Sequence, residues 1–86
     1  MDSTVIRMDI ISYSRHLARD IEELISQSDM TRQQVAEKSG IAWTTFSRRI
    51  GHPETSYLTV TEVIAICSVL GKDFINVLKA AEEQES

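Results

Sequence analysis

The chain has 86 residues, 42% of them hydrophobic, which is enough for one small core and too few for two separate domains. Its formal net charge is −4, so the overall balance does not predict a general polyanion binder. One proline and three glycines interrupt the chain, and its β-branched residues do not alternate with polar ones. We therefore predict a single all-α domain.

Residues 1–11 carry the weakest structural signal. Their apolar side chains match neither helix nor strand spacing, so three interpretations stay open: an ordered arm, an extra turn before the first helix, or a dimer contact.

From Ser12 to Gln27 the apolar residues recur at helical spacing and predict the first helix. They are Leu17, Ala18, Ile21, Leu24 and Ile25.

Two short helices joined by a tight turn are predicted between residues 31 and 50. Thr31 and Gln34 have the spacing of a capping box, and Gly40 supplies the left-handed residue that ends such a helix. The second helix, Trp43–Ile50, carries hydroxyl and guanidinium groups on its outer face, which suit the groove of DNA. These groups belong to Thr44, Thr45, Ser47 and Arg48, with Arg49 as a further candidate.

Two further helices are predicted downstream. A loop over residues 51–56 precedes a second capping box, Thr59 with Glu62, whose helix ends at Gly71. Asp73 is the predicted N-cap of the last helix, which draws its apolar contacts from Phe74, Ile75, Val77 and Leu78.

The single cysteine and the hydropathy of the chain indicate the cellular compartment in which the protein resides. Cys67 cannot form an internal disulfide, and apolar neighbours predict that it is a reduced core residue. No signal peptide and no apolar run of membrane length is found, so we expect a cytoplasmic protein without membrane association.

Positive charge is concentrated in residues 31–52. These hold four basic residues against one acid, whereas residues 1–30 and residues 53–86 carry net charges of −3 and −4. The local charge is typical of a phosphate-binding surface. Since the rest of the chain is acidic, we expect modest DNA affinity and sharp salt sensitivity.

The two-helix unit resembles the helix-turn-helix of the Xre family, the phage-repressor and Cro-like DNA-binding domains. The resemblance extends over roughly residues 12 to 79, and its motif residues are Thr31, Val35, Ala36, Gly40, Ile41, Phe46 and Arg48. It implies a lambda-repressor-like domain, a compact bundle of about five helices, over residues 12–79. The acidic tail, residues 80–86, is expected to fray.

The resemblance also implies site residues. It assigns base reading to Trp43, Thr44 and Arg48, of which Arg48 can pair bidentately with guanine for about 1–3 kcal/mol of discrimination. Two interpretations of Trp43 have equal weight: its ring contacts thymine methyls or the sugar edge of DNA, or it packs as a lid on the protein core. DNA-backbone contacts are assigned to Thr31, Arg32, Gln33, Thr45, Arg49, His52 and Ser56.

Three departures from the family pattern matter. Arg32 stands where glutamine is frequent, and Ala42 replaces the usual hydroxyl N-cap at a cost of about 1 kcal/mol. Arg49-Ile50 stands where relatives place an apolar residue and then an acid. We expect Phe46 and Ile50 to close onto the core and leave Arg49 free to reach phosphate.

The predicted function is a sequence-specific transcriptional regulator that binds double-stranded DNA, a phage or mobile-element repressor acting by promoter occlusion. One reading helix covers few base pairs, so we expect a homodimer on a palindromic operator with half-sites about 34 Å apart or a multiple of it. The candidate dimer surfaces are the first apolar segment and the last helix.

Other functions stay open. The chain fits an antitoxin that binds its own promoter and a toxin as protein partner, or an interaction module of the same fold with little DNA affinity. We expect no enzyme, cofactor or metal site, because no glycine-rich phosphate loop, cysteine-histidine cluster or paired-acid constellation is visible.

Overall fold

The computed structural model describes residues 9–84, and this part of the chain folds into five α-helices without a strand. The helices are α1 (Ile10–Ser26), α2 (Arg32–Ser39), α3 (Trp43–Gly51), α4 (Val60–Leu70) and α5 (Phe74–Glu83). The predicted all-α bundle of five helices is confirmed. Within residues 9–84 no helix is both long enough and apolar enough to cross a membrane.

Local capping chemistry sets the ends of α2. The Thr31 hydroxyl accepts a hydrogen bond from the Gln34 backbone N–H at 3.1 Å, and the Gln34 side chain accepts one from the Thr31 N–H at 2.8 Å. Gly40 ends the helix at φ 76°, in the left-handed region where a side chain is disfavoured. Thr59, Glu62 and Gly71 repeat this arrangement around α4, so both predicted capping boxes are confirmed.

One hydrophobic core joins all five helices. α1 packs against α5 and α3, and α2 packs against α4. Phe46, Ile21 and Ile66 are fully buried at its centre. Cys67 is 1% exposed, which confirms its predicted place in the core, and burial raises the pKa of its thiol.

The first helix begins two residues earlier than the sequence predicted, at Ile10 and not at Ser12. α1 begins at Ile10, because the Asp9 carboxylate accepts hydrogen bonds from the N–H groups of Ile11 and Ser12 at 3.1 and 3.3 Å. Ile10 and Ile11 therefore belong to the helix and not to a separate arm. The three interpretations of the remaining segment, residues 1–8, lie outside the described residues.

The last helix extends beyond residue 79, where the predicted domain ends. α5 continues to Glu83, so the predicted frayed tail is wrong for residues 80–83; residues 85–86 lie outside the described range. Ala81 is fully buried, and the Gln84 side chain bonds to Arg19 at 3.0 Å and Asp20 at 2.8 Å on α1. Tertiary contacts thus hold a segment that composition alone predicted to fray.

Candidate nucleic-acid interface

α3 is fixed to the core by its inner side. Phe46 is fully buried, and Ile50, one turn later, is half-buried against the core. The Trp43 ring stacks on Phe46 with 6.0 Å between ring centroids and 19° between ring planes. Ala42 precedes the helix without a side-chain cap, as predicted. Packing of the inner side therefore holds a helix whose first turn lacks capping support.

The outer side of α3 presents polar groups to solvent. Thr44, Ser47 and Arg48 are exposed, and their three- and four-residue spacing puts them on one face. The Arg48 side chain makes no hydrogen bond or ion pair with any residue between 9 and 84. Its five N–H donors are therefore available to an external acceptor.

Trp43 is partly packed and partly exposed. One part of its surface packs on Phe46, yet 43% of the residue is exposed. It shares one cleft with Thr31 and Gln33 at the start of α2. The exposed surface of Trp43 thus joins the start of α2 to the start of α3 in one continuous surface.

Arg49 is not free to reach phosphate, contrary to the expectation from sequence. Its Nε donates to Glu62 Oε1 at 3.0 Å, and its Nη1 donates to Ser56 Oγ at 2.9 Å. Ser56 is itself only 7% exposed. Because Phe46 and Ile50 turn inward, the neighbouring Arg49 faces the start of α4, where the capping box already holds Glu62. The contacts of Arg49 and Ser56 in the structure are internal.

The environment of Glu62 favours its charged form. Burial by itself raises the pKa of this carboxyl, but the hydrogen bonds from Arg49 and Thr59 and the charge of Arg49 outweigh it and lower the pKa below the ordinary value of 4.5. The side chains of Arg49 and Glu62 are 22% and 16% exposed. A partly buried ion pair therefore connects α3 to α4.

The other residues predicted to contact the DNA backbone differ in their exposure and in their hydrogen-bond partners. Arg32 and Gln33 are exposed at the start of α2, and Thr45 is half-buried on α3. The Thr31 hydroxyl is occupied by the capping box. The His52 side chain is 68% exposed, with its Nδ1 3.9 Å from Glu54.

Sequence reasoning missed a carboxylate beside Arg32. Glu22 of α1 forms an ion pair with the Arg32 guanidinium, and the two side chains are 38% and 57% exposed. The two residues are ten positions apart on different helices, so no local spacing indicated the contact. A phosphate that approaches Arg32 must compete with this carboxylate.

Comparison with known families agrees with this geometry. Residues 20–78 match the family model described as a Cro/C1-type HTH DNA-binding domain. The match includes all of α2, α3 and α4. Searches of the curated proteins and of the solved structures gave no match.

Proposed function

The chain belongs to the Cro/C1-type helix-turn-helix DNA-binding domain family, and from this premise we propose that it is a sequence-specific repressor of phage or mobile-element type. Binding of double-stranded DNA and regulation of transcription are the activities of such a domain. The observation that carries the proposal is the outer face of α3. It is exposed, and its one arginine, Arg48, has no ion-pair partner within residues 9–84.

In the proposed complex α3 lies in the major groove. Arg48 donates two hydrogen bonds to O6 and N7 of a guanine, which is the commonest specific contact to a base. The Thr44 methyl group contacts a thymine methyl, and the exposed part of the Trp43 ring contacts a neighbouring thymine or sugar. These three side chains read sequence.

The start of α2 and the loop after α3 are proposed to hold the phosphates. Arg32 and Gln33 contact one strand beside the groove, and Thr45 and His52 contact the backbone near the two ends of α3. The Thr31 backbone and hydroxyl orient this end of α2. Arg49 and Ser56 hold α3 against α4 and are assigned no DNA contact.

Repression is proposed to follow from promoter occlusion by two copies of the chain on a palindrome. Half-sites about 34 Å apart, or a multiple of it, place both reading helices on one side of the duplex. Two copies also read enough base pairs to distinguish an operator from other sites. The proposal includes a cytoplasmic location, because a repressor acts where its promoter is transcribed.

Selection of bound duplexes from a random pool tests the proposal. We expect enrichment of a motif that contains guanine at the Arg48 position and, in the full site, its inverted repeat. The selection is run at low salt, since an acidic protein binds DNA weakly at higher salt. Absence of any enriched motif would contradict sequence-specific binding and favour an interaction module of the same fold.

A further inference from the structure

An ion pair between two helices lies at the edge of the proposed DNA-binding surface. The guanidinium of Arg32, the first residue of α2, donates to the Glu22 carboxylate of α1. Glu22 and Arg32 line one depression together with Trp43 and Ser47 of α3. Trp43 and Ser47 are exposed on the helix that is proposed to enter the groove. An acidic side chain therefore borders the surface proposed to meet phosphates.

The two arginine–glutamate pairs found within residues 9–84 differ in how firmly the arginine is held. Arg49 bonds to both Glu62 and Ser56, and its side chain is 22% exposed. The Arg32 side chain is 57% exposed, and Glu22 is the one residue between 9 and 84 that bonds to its guanidinium. Arg32 is therefore able to change its partner, whereas Arg49 is fixed in place.

We propose that Glu22 limits the affinity of this chain for DNA, because it competes with DNA phosphate for the Arg32 guanidinium. The inference rests on the proposed function, which assigns Arg32 to the DNA backbone, and it adds a residue that opposes this contact. It concerns overall affinity, since a phosphate contact carries no sequence information. Glu22 thus sets the protein concentration at which an operator is occupied and leaves the choice of operator unchanged.

A carboxylate and a phosphate present the same chemistry to an arginine. Both offer anionic oxygens whose spacing matches the parallel N–H groups of the guanidinium. When a phosphate replaces Glu22, the protein loses an ion pair. When the two anions share Arg32, they repel each other across one cation. By either route the complex is weaker than it would be with an uncharged side chain at position 22.

The same pair reduces the positive charge that DNA meets. Residues 31–52 contain four basic residues and one acid. Two of the four, Arg32 and Arg49, are paired with glutamates from outside this segment. The other two, Lys38 and Arg48, are exposed. The acidic remainder of the chain therefore acts on DNA binding through a defined contact as well as through its net charge.

Neutral variants of the full chain separate competition from general charge. Glu22→Gln removes the competing carboxylate. Glu23→Gln is the matched control, because Glu23 is the next residue of α1, is exposed, and has a carboxylate that pairs with no residue between 9 and 84. Both changes alter the net charge equally. Arg32→Ala, alone and combined with Glu22→Gln, removes the contested cation. Denaturant unfolding confirms that each variant is folded and measures its stability.

Anisotropy titrations of the selected duplex and of a scrambled one measure affinity. At about 0.1 M salt, charges separated by more than about 10 Å are largely screened. Relative to Glu23→Gln, Glu22→Gln should tighten both complexes by about two- to fivefold, the factor that corresponds to an exposed ion pair. The ratio of the two affinities should stay at the wild-type value. Combined with Arg32→Ala, Glu22→Gln should tighten binding no more than Glu23→Gln does in the wild-type chain.

Three results would overturn the inference. The first is a Glu22→Gln variant that binds DNA more weakly than Glu23→Gln, which would mean that Glu22 orients Arg32 toward phosphate. The second is equal affinity of these two variants with lower stability of Glu22→Gln, which would indicate a structural role alone. The third is a gain that persists in the Arg32→Ala chain, because that gain would come from charge near the surface and not from competition.

The inference and the proposed function fail in different ways. Equal binding of all duplexes contradicts sequence-specific binding, and a gain from Glu22→Gln on each of them still supports competition. A preserved preference without this gain contradicts competition and leaves the proposed function intact. If neither the wild-type chain nor Glu22→Gln binds any duplex, both proposals are overturned.

Discussion

Glu62 acts on two helices at once. Its Oε1 accepts the Thr59 N–H at 2.9 Å, which starts α4, and the Arg49 Nε at 3.0 Å, which positions α3. The Oε2 atom accepts a longer bond from Arg49 Nη2 at 3.3 Å. A single carboxylate thus connects the capping of one helix to the orientation of the helix proposed to read DNA.

Replacement of Glu62 by glutamine should destabilise the fold. Glu62→Gln keeps the shape but removes the charge that pairs with Arg49, so we expect a loss of about 1–2 kcal/mol in the free energy of unfolding. Denaturant unfolding measures the loss. Glu54→Gln is the control, because the Glu54 side chain is 39% exposed and lies 3.9 Å from its partner His52. Equal stability of both variants would contradict the assigned role.

The effect of Glu62→Gln should depend on pH in a defined direction. The pKa of Glu62 is lower in the folded state than its ordinary value of 4.5. The contribution of Glu62 to the free energy of unfolding is therefore complete above pH 4.5 and is lost as the pH falls from 4.5 through the lowered pKa. The difference in stability between wild type and Glu62→Gln should therefore shrink on acidification below pH 4.5. Unfolding curves at pH 7 and at decreasing acidic pH values measure this trend.

Alanine variants at Arg48 and Arg32 should separate the sequence specificity of DNA binding from its overall affinity. Arg48→Ala should reduce the preference for the selected duplex over a scrambled one by about 1–3 kcal/mol, because a base contact is lost. Arg32→Ala should weaken both complexes equally, because a phosphate contact carries no sequence information. Anisotropy titrations of the two duplexes measure both effects. Retention of the full preference by Arg48→Ala would mean that α3 does not read the bases through this residue.

At the scale of elements, the turn between α2 and α3 depends on backbone conformation more than on space. Gly40 has φ 76°, whereas Gly51 lies in helical conformation at the end of α3. A Cβ added at either residue meets no described atom within 4 Å. The two glycines therefore form a matched pair that differs chiefly in backbone conformation.

Alanine should have opposite effects at the two glycines. Gly40→Ala forces a side chain into the left-handed region and should cost roughly 1–2 kcal/mol of stability. Gly51→Ala should stabilise by about 0.4–1 kcal/mol, because alanine restricts the unfolded chain at a compatible site. Thermal or denaturant unfolding of both variants measures the contrast. Equal effects of the two changes would contradict the role assigned to the positive φ of Gly40.

At the scale of the whole molecule, charge is segregated. Residues 31–52 carry the positive charge of an otherwise acidic chain, and the structure places Arg32 and Arg48 on exposed positions there. Lys38 is also exposed on α2, while Arg49 is engaged with Glu62. Three exposed cations per copy thus lie in the reading unit, and one of them, Arg32, is paired with Glu22.

The salt dependence of DNA binding should reflect the cations that contact phosphate. Since Arg48 is assigned to a guanine, Arg32 and Lys38 would neutralise about two phosphates per copy and give a slope of about −2 in a plot of log affinity against log salt. Arg32→Ala should reduce the magnitude of the slope by about one unit, and Lys79→Ala on α5 should leave it unchanged. Titrations of one half-site over a salt series measure the slopes. A large effect of Lys79→Ala would contradict the proposed orientation of the molecule on DNA.

Structural features formed by residues close in sequence were predicted correctly. The capping pairs Thr31–Gln34 and Thr59–Glu62 are three residues apart, and the structure forms both. The core positions of α1 followed from helical periodicity, and four of the five predicted residues are buried: Leu17, Ala18, Ile21 and Ile25. Local spacing was sufficient because these bonds and faces exist within single helices.

The sequence by itself determined where α2 and α4 begin and end, and that Thr44, Ser47 and Arg48 of α3 face outward. Only the tertiary structure decided that Arg49 pairs with Glu62, that Glu22 lies beside Arg32, and that α5 continues past Ala80. A cap or a helical face is set by neighbours within a few residues, whereas an ion pair between two helices depends on how those helices pack.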